Sequence, residues 1–421
     1  MASIHPFTAV RPRPDLAREV AAVPYDVVTA EEARDRIGRH PLSFLTVSRS
    51  DALLPGIPPS DPAVYRRARQ RFLEMIRDRV LVRDDRPSLS LYRVEHGERA
   101  FTGLVCTVDV EDYRTGLIRR HELTRYDKEQ DRTRHIDTVN AHTGLVFLVY
   151  RDTSGIGQGV ESMIRPGTDP VARVAAPSGT VHQVYRVDDP TTVSALQRLF
   201  APVDRLYIAD GHHRAASAVN VALSRSAEGR STLESGRFMA VLFSHDQVRI
   251  HGYSRLITDL GGSAPRGFLA RVAGRFQVDD APRPDPGASE MRPKGTPGAR
   301  THVIHLYLAG RWHELSRQVP AFTDGAPPLL DVTTLQEEIL GPLLGIADPR
   351  GDPRLQYIGG TLPLSSLEAM VDSGRFAAAF AMQPASIGTV MAVADAGGIM
   401  PPKSTWFEPK LCSGLVVHML D

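Results

Sequence analysis

LYIADGHHRAASA, residues 206–218, is the stretch on which the reading of this chain turns. The apolar run Leu206-Tyr207-Ile208-Ala209 predicts a buried strand, and Asp210-Gly211 breaks it. Ala215, Ala218, Val219, Ala222 and Leu223 then recur at helical spacing, so the turn lies between a strand end and a helix start. A helix start presents backbone N–H groups that have no acceptor within the helix, and it carries partial positive charge. Gly211 permits close approach to the main chain, while His212, His213 and Arg214 surround the turn with side-chain donors. A phosphate suits such a turn. Two plainer readings stand beside it: Asp210 as the cap of a helix with solvated histidines, and a metal site. The metal is the weaker rival. Neighbouring helical residues point about 100° apart, and neither H-E-x-x-H nor C-x-x-C occurs with the pair.

Outward from the turn, Phe238 to Phe243 predicts a strand after the helix. Strand, glycine turn, helix and strand in that order predict a βαβ unit with parallel pairing. On the other side, LIRRHELTRYDKEQDRTRHIDTVNAHTG (117–144) sets Arg119, Arg120, Arg125, Arg132 and Arg134 among Glu122, Asp127, Glu129, Asp131 and Asp137. The pattern is that of a solvated helix laced with ion pairs. His121-Glu122 beside Arg119 and Arg120 also supplies a carboxylate base among cations, a mixture that phosphoryl transfer uses. Nearer the N-terminus, VPYDVVTAEEARDRIG (23–38) holds a Thr29/Glu32 capping box, with Asp26 in the loop entering the helix, able to cap or to touch ligand. His40 to Leu45 leads into a short predicted strand, and residues 64–81 form an amphipathic helix. A hairpin is predicted around His96-Gly97-Glu98.

Toward the C-terminus, His251, Tyr253 and Arg255 alternate as on one strand face. DAPRPDPGASEMRPKGTPGAR (280–300) reads as a boundary loop, so the expected organisation is a core over 1–275, a Pro/Gly-rich loop over 276–301 and an α+β region over 302–421. Within that region a hairpin is expected across Ala309-Gly310-Arg311, and a helix from Ser365 with a Ser365/Glu368 capping box. The segment IMPPKSTWFEPKLCSGLVVHML (399–420) brings Lys403, Ser404, Thr405 and Lys410 beside Trp406 and Phe407. It is either a docked tail with an aromatic anchor or a rim that returns phosphate or carboxylate donors to the site.

Composition narrows the partners. The 421 residues allow two or three domains, and 50 Lys and Arg against 49 Asp and Glu give no overall field favouring nucleic acid. A small-molecule partner is expected instead. Two cysteines, Cys106 and Cys412, sit in apolar surroundings, which suits a reducing compartment. Without a long apolar run, the expectation is a cytoplasmic protein with no membrane partner.

VPYDVVTAEEAR, RRHELT with KEQDR, IADGHHRAASA and MPPKSTWFEPKLCSGL together resemble a large bacterial and archaeal family catalogued as a domain of unknown function. The DGHHR block is also similar to the phosphate-binding signature of the ParB and sulfiredoxin superfamily, which includes free-serine kinases. That resemblance implies an α/β (mixed α+β) fold: a ParB/sulfiredoxin-like nucleotide-binding core elaborated by the C-terminal α+β region. It implies that Gly211, His212, His213 and Arg214 hold nucleotide phosphates, with Glu122 as base toward a substrate hydroxyl. His212 stands where sulfiredoxins carry a cysteine, which disfavours sulfinic-acid reduction. No helix-turn-helix or basic face supports a partition protein.

The expected function is therefore a small-molecule kinase using ATP or ADP with Mg²⁺, acting on free L-serine or a related hydroxy amino acid. Glu122, Asp210 and His213 are the candidate catalytic residues, and no protein metal ligand is assigned. Asp26, Arg120, Lys403, Ser404, Thr405 and Lys410 are the candidate substrate contacts. A non-catalytic nucleotide-binding regulator and a metal-assisted phosphohydrolase are the rivals.

Overall fold

Alternating apolar runs and amphipathic helices fold into a mixed α/β protein in this computed structural model, which describes residues 3–176, 178–284, 299–320, 328–349 and 351–421. The chain divides into two compact units: residues 1–120, 124–248 and 409–421 form the first, and 121–123 with 249–408 form the second.

The first unit is built on a mixed sheet. Its order is Ile118–Arg119, Leu206–Asp210, Val146–Tyr150, Arg237–Ser244, Arg99–Asp109, Leu89–His96, Val181–Val187 and Ala172–Ala175, and Ile4–His5 adds to Arg99–Asp109. Strands with both faces covered should be apolar throughout; Val146–Tyr150 and residues 206–209 are buried at every position. Helices Ile156–Ser162, Pro190–Phe200 and His212–Ala227 cover the sheet through Ile156, Val160, Leu196, Phe200, Ala215 and Val219. Asp189 starts one of them by accepting the Thr192 amide at 2.8 Å, with Pro190 in the first turn.

A second core of the same unit joins Ala30–Arg39, Leu45–Ser48 and Pro62–Arg77 to a small sheet ordered Leu81–Arg83, Ala9–Pro12, Val417–Met419 and Ala141–His142. The Thr29/Glu32 capping box is present in both directions, at 2.8 and 3.2 Å. The strand expected after His40 is instead the short helix Leu45–Ser48. Thr46 and Ser48 turn their hydroxyls back onto the carbonyls of Ser43 and Phe44, while Phe44, Leu45 and Val47 are buried.

The predicted parallel βαβ unit does not form. Leu206–Asp210 pairs antiparallel with Val146–Tyr150, which pairs parallel with Arg237–Ser244, so the strands flanking the helix oppose one another across an inserted third. Local pattern fixes the elements but not the direction of return. Residues 228–236 can span about 30 Å extended, against about 24 Å for the helix itself, so the next strand can enter from either end.

In the second unit an antiparallel sheet runs Gln277–Ala281, Arg311–Pro320, Ala299–Leu308, Ala378–Ala381, Tyr253–Ile257 and Leu355–Gly359. The hairpin turn falls at Ala309 and Gly310, both at positive φ. Observed and expected divisions of the chain differ. The sheet takes strands from both sides of the Pro/Gly-rich stretch, since Gln277–Ala281 and Ala299–Leu308 both pair with Arg311–Pro320, so 276–301 is internal to one unit. Residues 285–298 of that loop lie outside the described residues. Residues 409–421 rejoin the first unit because Val417–Met419 pairs with Ala9–Pro12 and Ala141–His142. His251, Tyr253 and Arg255 do not share one strand: Gly252 breaks the run, and Arg249–His251 pairs with Trp406–Glu408 in a separate ribbon. No side-chain cap forms at the Leu364–Asp372 helix, where Glu368 accepts from Trp312 Nε1 at 2.6 Å and binds Arg283.

Candidate functional site

Asp210 ends its strand, Gly211 takes φ +93°, and the helix His212–Ala227 begins at once. A left-handed conformation here demands glycine, and space demands it too. A Cβ on Gly211 would meet Arg214 Nε at 2.9 Å and Cζ at 3.0 Å. The Arg214 side chain folds back over the turn, donating to the Leu145 carbonyl and pairing with Asp210 at 3.4 Å. Lys410, from the returning C-terminal segment, reaches the other Asp210 oxygen at 3.0 Å.

Two cations thus share one carboxylate, whose side chain is 29% exposed. Burial pushes the Asp210 carboxyl up, but Lys410 and Arg214 outweigh it and hold the group well below the ordinary carboxylate range. Burial works against the Arg214 charge, and Asp210, Asp26 and Tyr25 more than restore it. Arg214 and Lys410 thus stand beside the partial positive charge of the helix start, with Asp210 and Asp26 as the facing carboxylates.

His213 serves the neighbouring backbone. Its Nε2 accepts the Arg125 amide at 3.0 Å, so that ring nitrogen is the unprotonated one in this arrangement. The bond latches the entry of helix Tyr126–Val139 to the start of helix His212–Ala227. The two helices are also joined by Ser217 to the Glu129 carbonyl at 2.9 Å, Asn220 to the Glu129 carboxylate at 2.7 Å, and Arg225 to Asp137 at 2.9 Å. The predicted solvated helix is therefore half committed to packing, with His135, Ile136 and Val139 buried.

Behind Arg214 lies a cavity of about 20 Å³ lined by Tyr25, Ser48, Arg132, His135 and Thr143 among others, room for about one water. The Arg132 guanidinium sits 4.3 Å from the Tyr25 ring centroid and pairs with Asp131 at 2.8 Å. Burial pushes the Tyr25 hydroxyl up to about 12, against the opposing pull of Arg132.

Of the sequence candidates, the first unit gathers Asp210, Gly211, His212, His213, Arg214 and Lys410 around one helix start, with Asp26 in electrostatic reach of Arg214. Arg120 is placed against Tyr113, donating to its hydroxyl at 3.3 Å. Glu122, Lys403, Ser404 and Thr405 belong to the second unit. Sequence reasoning missed the Leu145 carbonyl, the Arg125 amide and the Tyr25–Arg132 stack. Backbone groups leave no signature in residue identity; Arg132 was visible only as one charge in a run of charges.

Residues 4–334 match the model of a family described as "Protein of unknown function (DUF1015)", and the chain belongs to that family. No curated protein matches the chain. Among solved structures, a free serine kinase in complex with AMP is similar at 12% identity and TM-score 0.36, over 72% of this chain and 86% of that one. SbnI with a C-terminal truncation, from Staphylococcus aureus, is similar at 13% and 0.37, over 75% and 87%. A conserved hypothetical protein from Pyrococcus furiosus is similar at 13% and 0.35, over 74% and 95%. Identity and superposition this low define neither a substrate nor a reaction. Among the described residues no helix is long and apolar enough to cross a membrane.

Proposed function

We propose that this protein is a phosphotransferase that holds the phosphates of ATP or ADP at the Gly211–Arg214 turn and phosphorylates the hydroxyl of a free hydroxy amino acid, L-serine or a close relative. The observation that carries the reading is the left-handed Gly211 at the head of a 16-residue helix, with Arg214 and Lys410 converging on the Asp210 carboxylate beside it. Phosphoryl transfer asks a protein chiefly for position and positive charge, and this turn supplies both.

In the transfer, a bond forms between the acceptor oxygen and phosphorus while the bond to the nucleotide's bridging oxygen breaks. The nucleotide leaves with that electron pair, and the hydroxyl proton passes to a carboxylate. Glu122 and Asp26 are the two carboxylates proposed for that role. Among the described residues no group of three His, Cys, Asp or Glu stands together to cage a metal ion. Mg²⁺ carried by a nucleotide would take one or two carboxylates beside phosphate oxygens and would supply charge neutralisation; Asp210, whose two oxygens face Arg214 and Lys410, would exchange one of those cations to hold it.

The test is incubation of the full chain with ATP or ADP, Mg²⁺ and a panel of hydroxy amino acids, read by mass spectrometry for an added phosphate. Glu122→Gln and Asp26→Asn are run in parallel. A phosphorylated amino acid, lost with one of the two variants while nucleotide affinity persists, is the expected outcome. Bound nucleotide with no product across the panel would replace the kinase by a nucleotide-binding regulator. The phosphohydrolase reading, with His212 or His213 as metal ligand, is weaker at His213, because its Nε2 accepts the Arg125 amide; metal analysis of the purified protein and of His212→Ala tests it at His212.

A further inference from the structure

The second unit contains a separate convergence of charged and aromatic side chains where Arg249–His251 meets Trp406–Glu408. His251 Nε2 and Glu408 Oε2 are 2.7 Å apart, and both side chains keep part of their surface in solvent. Tyr253 packs edge-on against Trp406 at 5.6 Å, and the Lys403 ammonium stands over the Tyr253 ring at 5.6 Å from its centroid. Beneath Lys403 is Arg255, 3% exposed, which donates to the Tyr253 carbonyl at 2.6 Å and to the Lys403 carbonyl at 3.3 Å.

Three features show that this corner is built rather than incidental. Lys403 has φ +56°, a conformation a lysine adopts only when its surroundings impose it. Ser404 closes the same turn by donating to the Pro401 carbonyl at 2.6 Å. Three glycines leave no room for a side chain: a Cβ on Gly359 would meet the Trp406 ring at 2.6 Å, one on Gly360 would meet the His251 Cβ at 2.8 Å, and one on Gly252 would collide with the Met382 carbonyl. Close backbone approach therefore fixes both the imidazole and the indole. A buried guanidinium bonded to the Lys403 carbonyl, an exposed ammonium over the Tyr253 ring and an imidazole held by a carboxylate bring charged groups together beside the Tyr253–Trp406 aromatic pair.

We infer that this corner is a binding station for a small oxyanion, held by the Lys403 ammonium at the rim of the Tyr253–Trp406 aromatic pair, with His251 and Arg255 positioning the wall and the loop. The shared chemistry is a carboxylate or a phosphate. It does not depend on phosphoryl transfer, so it can stand or fall without the kinase reading.

The chain has two tryptophans, Trp312 and Trp406, whose indole N–H resonances serve as an internal control and a reporter. Trp312→Phe assigns them. The full-length protein is titrated separately with inorganic phosphate, L-serine and L-serine methyl ester, which lacks the carboxylate. Expected is a saturable shift of the Trp406 indole, with Trp312 unmoved, for phosphate, for L-serine or for both, and none for the ester. Lys403→Met, which keeps the stem over Tyr253 but removes the charge, weakens binding at least tenfold, and Lys403→Arg retains it. Gly211→Ala leaves the shift intact. No Trp406 response to either anion, or an unaltered response in Lys403→Met and Lys403→Ala, overturns the inference; a response to phosphate alone or to L-serine alone supports it and names the source.

Discussion

Gly211→Ala separates two physical effects, and Gly229→Ala at the far end of the same helix provides the control. Both glycines have positive φ, +93° and +67°, so alanine at either carries a left-handed backbone penalty of about 1–2 kcal/mol. A Cβ on Gly229 meets nothing within 4 Å, whereas one on Gly211 displaces Arg214 from 2.9 Å. Moving that guanidinium breaks its bond to the Leu145 carbonyl and its pairing with Asp210, a further loss of about 1.5–3 kcal/mol for hydrogen bonds to a charged group. At about 2–4 °C per kcal/mol for a domain of this size, Gly211→Ala should melt roughly 3–12 °C below Gly229→Ala. Differential scanning calorimetry of the two variants, paired with nucleotide titration, measures this. Nucleotide affinity should fall in Gly211→Ala alone. Equal melting temperatures, or unchanged nucleotide binding in a Gly211→Ala protein that melts low, would refute the assignment of Arg214 and the helix start as one cradle.

Asp210→Asn should destabilise the first unit at pH 7 by about 1–3 kcal/mol, since it leaves Arg214 and Lys410 without their shared carboxylate. Because the folded Asp210 titrates below its unfolded value, its contribution is complete above about pH 3.9 and fades as pH falls through the folded value; urea midpoints of wild type and variant should stay parallel from pH 8 to 5 and approach each other only in stronger acid. His213→Ala should accelerate hydrogen exchange at the Arg125 amide specifically, and unaltered protection there would remove the latch from the account. Burial holds His182 down to about 4, so the unfolded chain takes up its proton first as pH drops below about 6.5 and stability falls by up to about 1.4 kcal/mol per pH unit from this group. His182→Gln should flatten the pH dependence of chemical denaturation between pH 6.5 and 4, and an unchanged slope would show that His182 is not the group responsible.

Much of the local structure needed no tertiary information. The strand, glycine and alanine-rich helix of residues 206–227 follow from period and from the one residue that accepts a left-handed turn, and the Thr29/Glu32 box follows from spacing alone. Both depend on neighbours within a few residues. Asp210, Gly211 and Arg214 were legible as a possible anion site for the same reason.

What the linear order could not contain is which distant segment answers each local need. Val146–Tyr150 inserts between the strands flanking the central helix and sets them antiparallel, a choice made by sheet packing. Lys410 reaches Asp210 only because Val417–Met419 pairs into the first unit's small sheet. Arg132 looks like any other solvated charge until folding stacks it on Tyr25, where its side chain is 11% exposed. Residue types and short-range spacing thus determined the strand, the left-handed glycine and the helix that follows it. Long-range pairing, driven by burial that has no direction along the chain, decided which charges surround them.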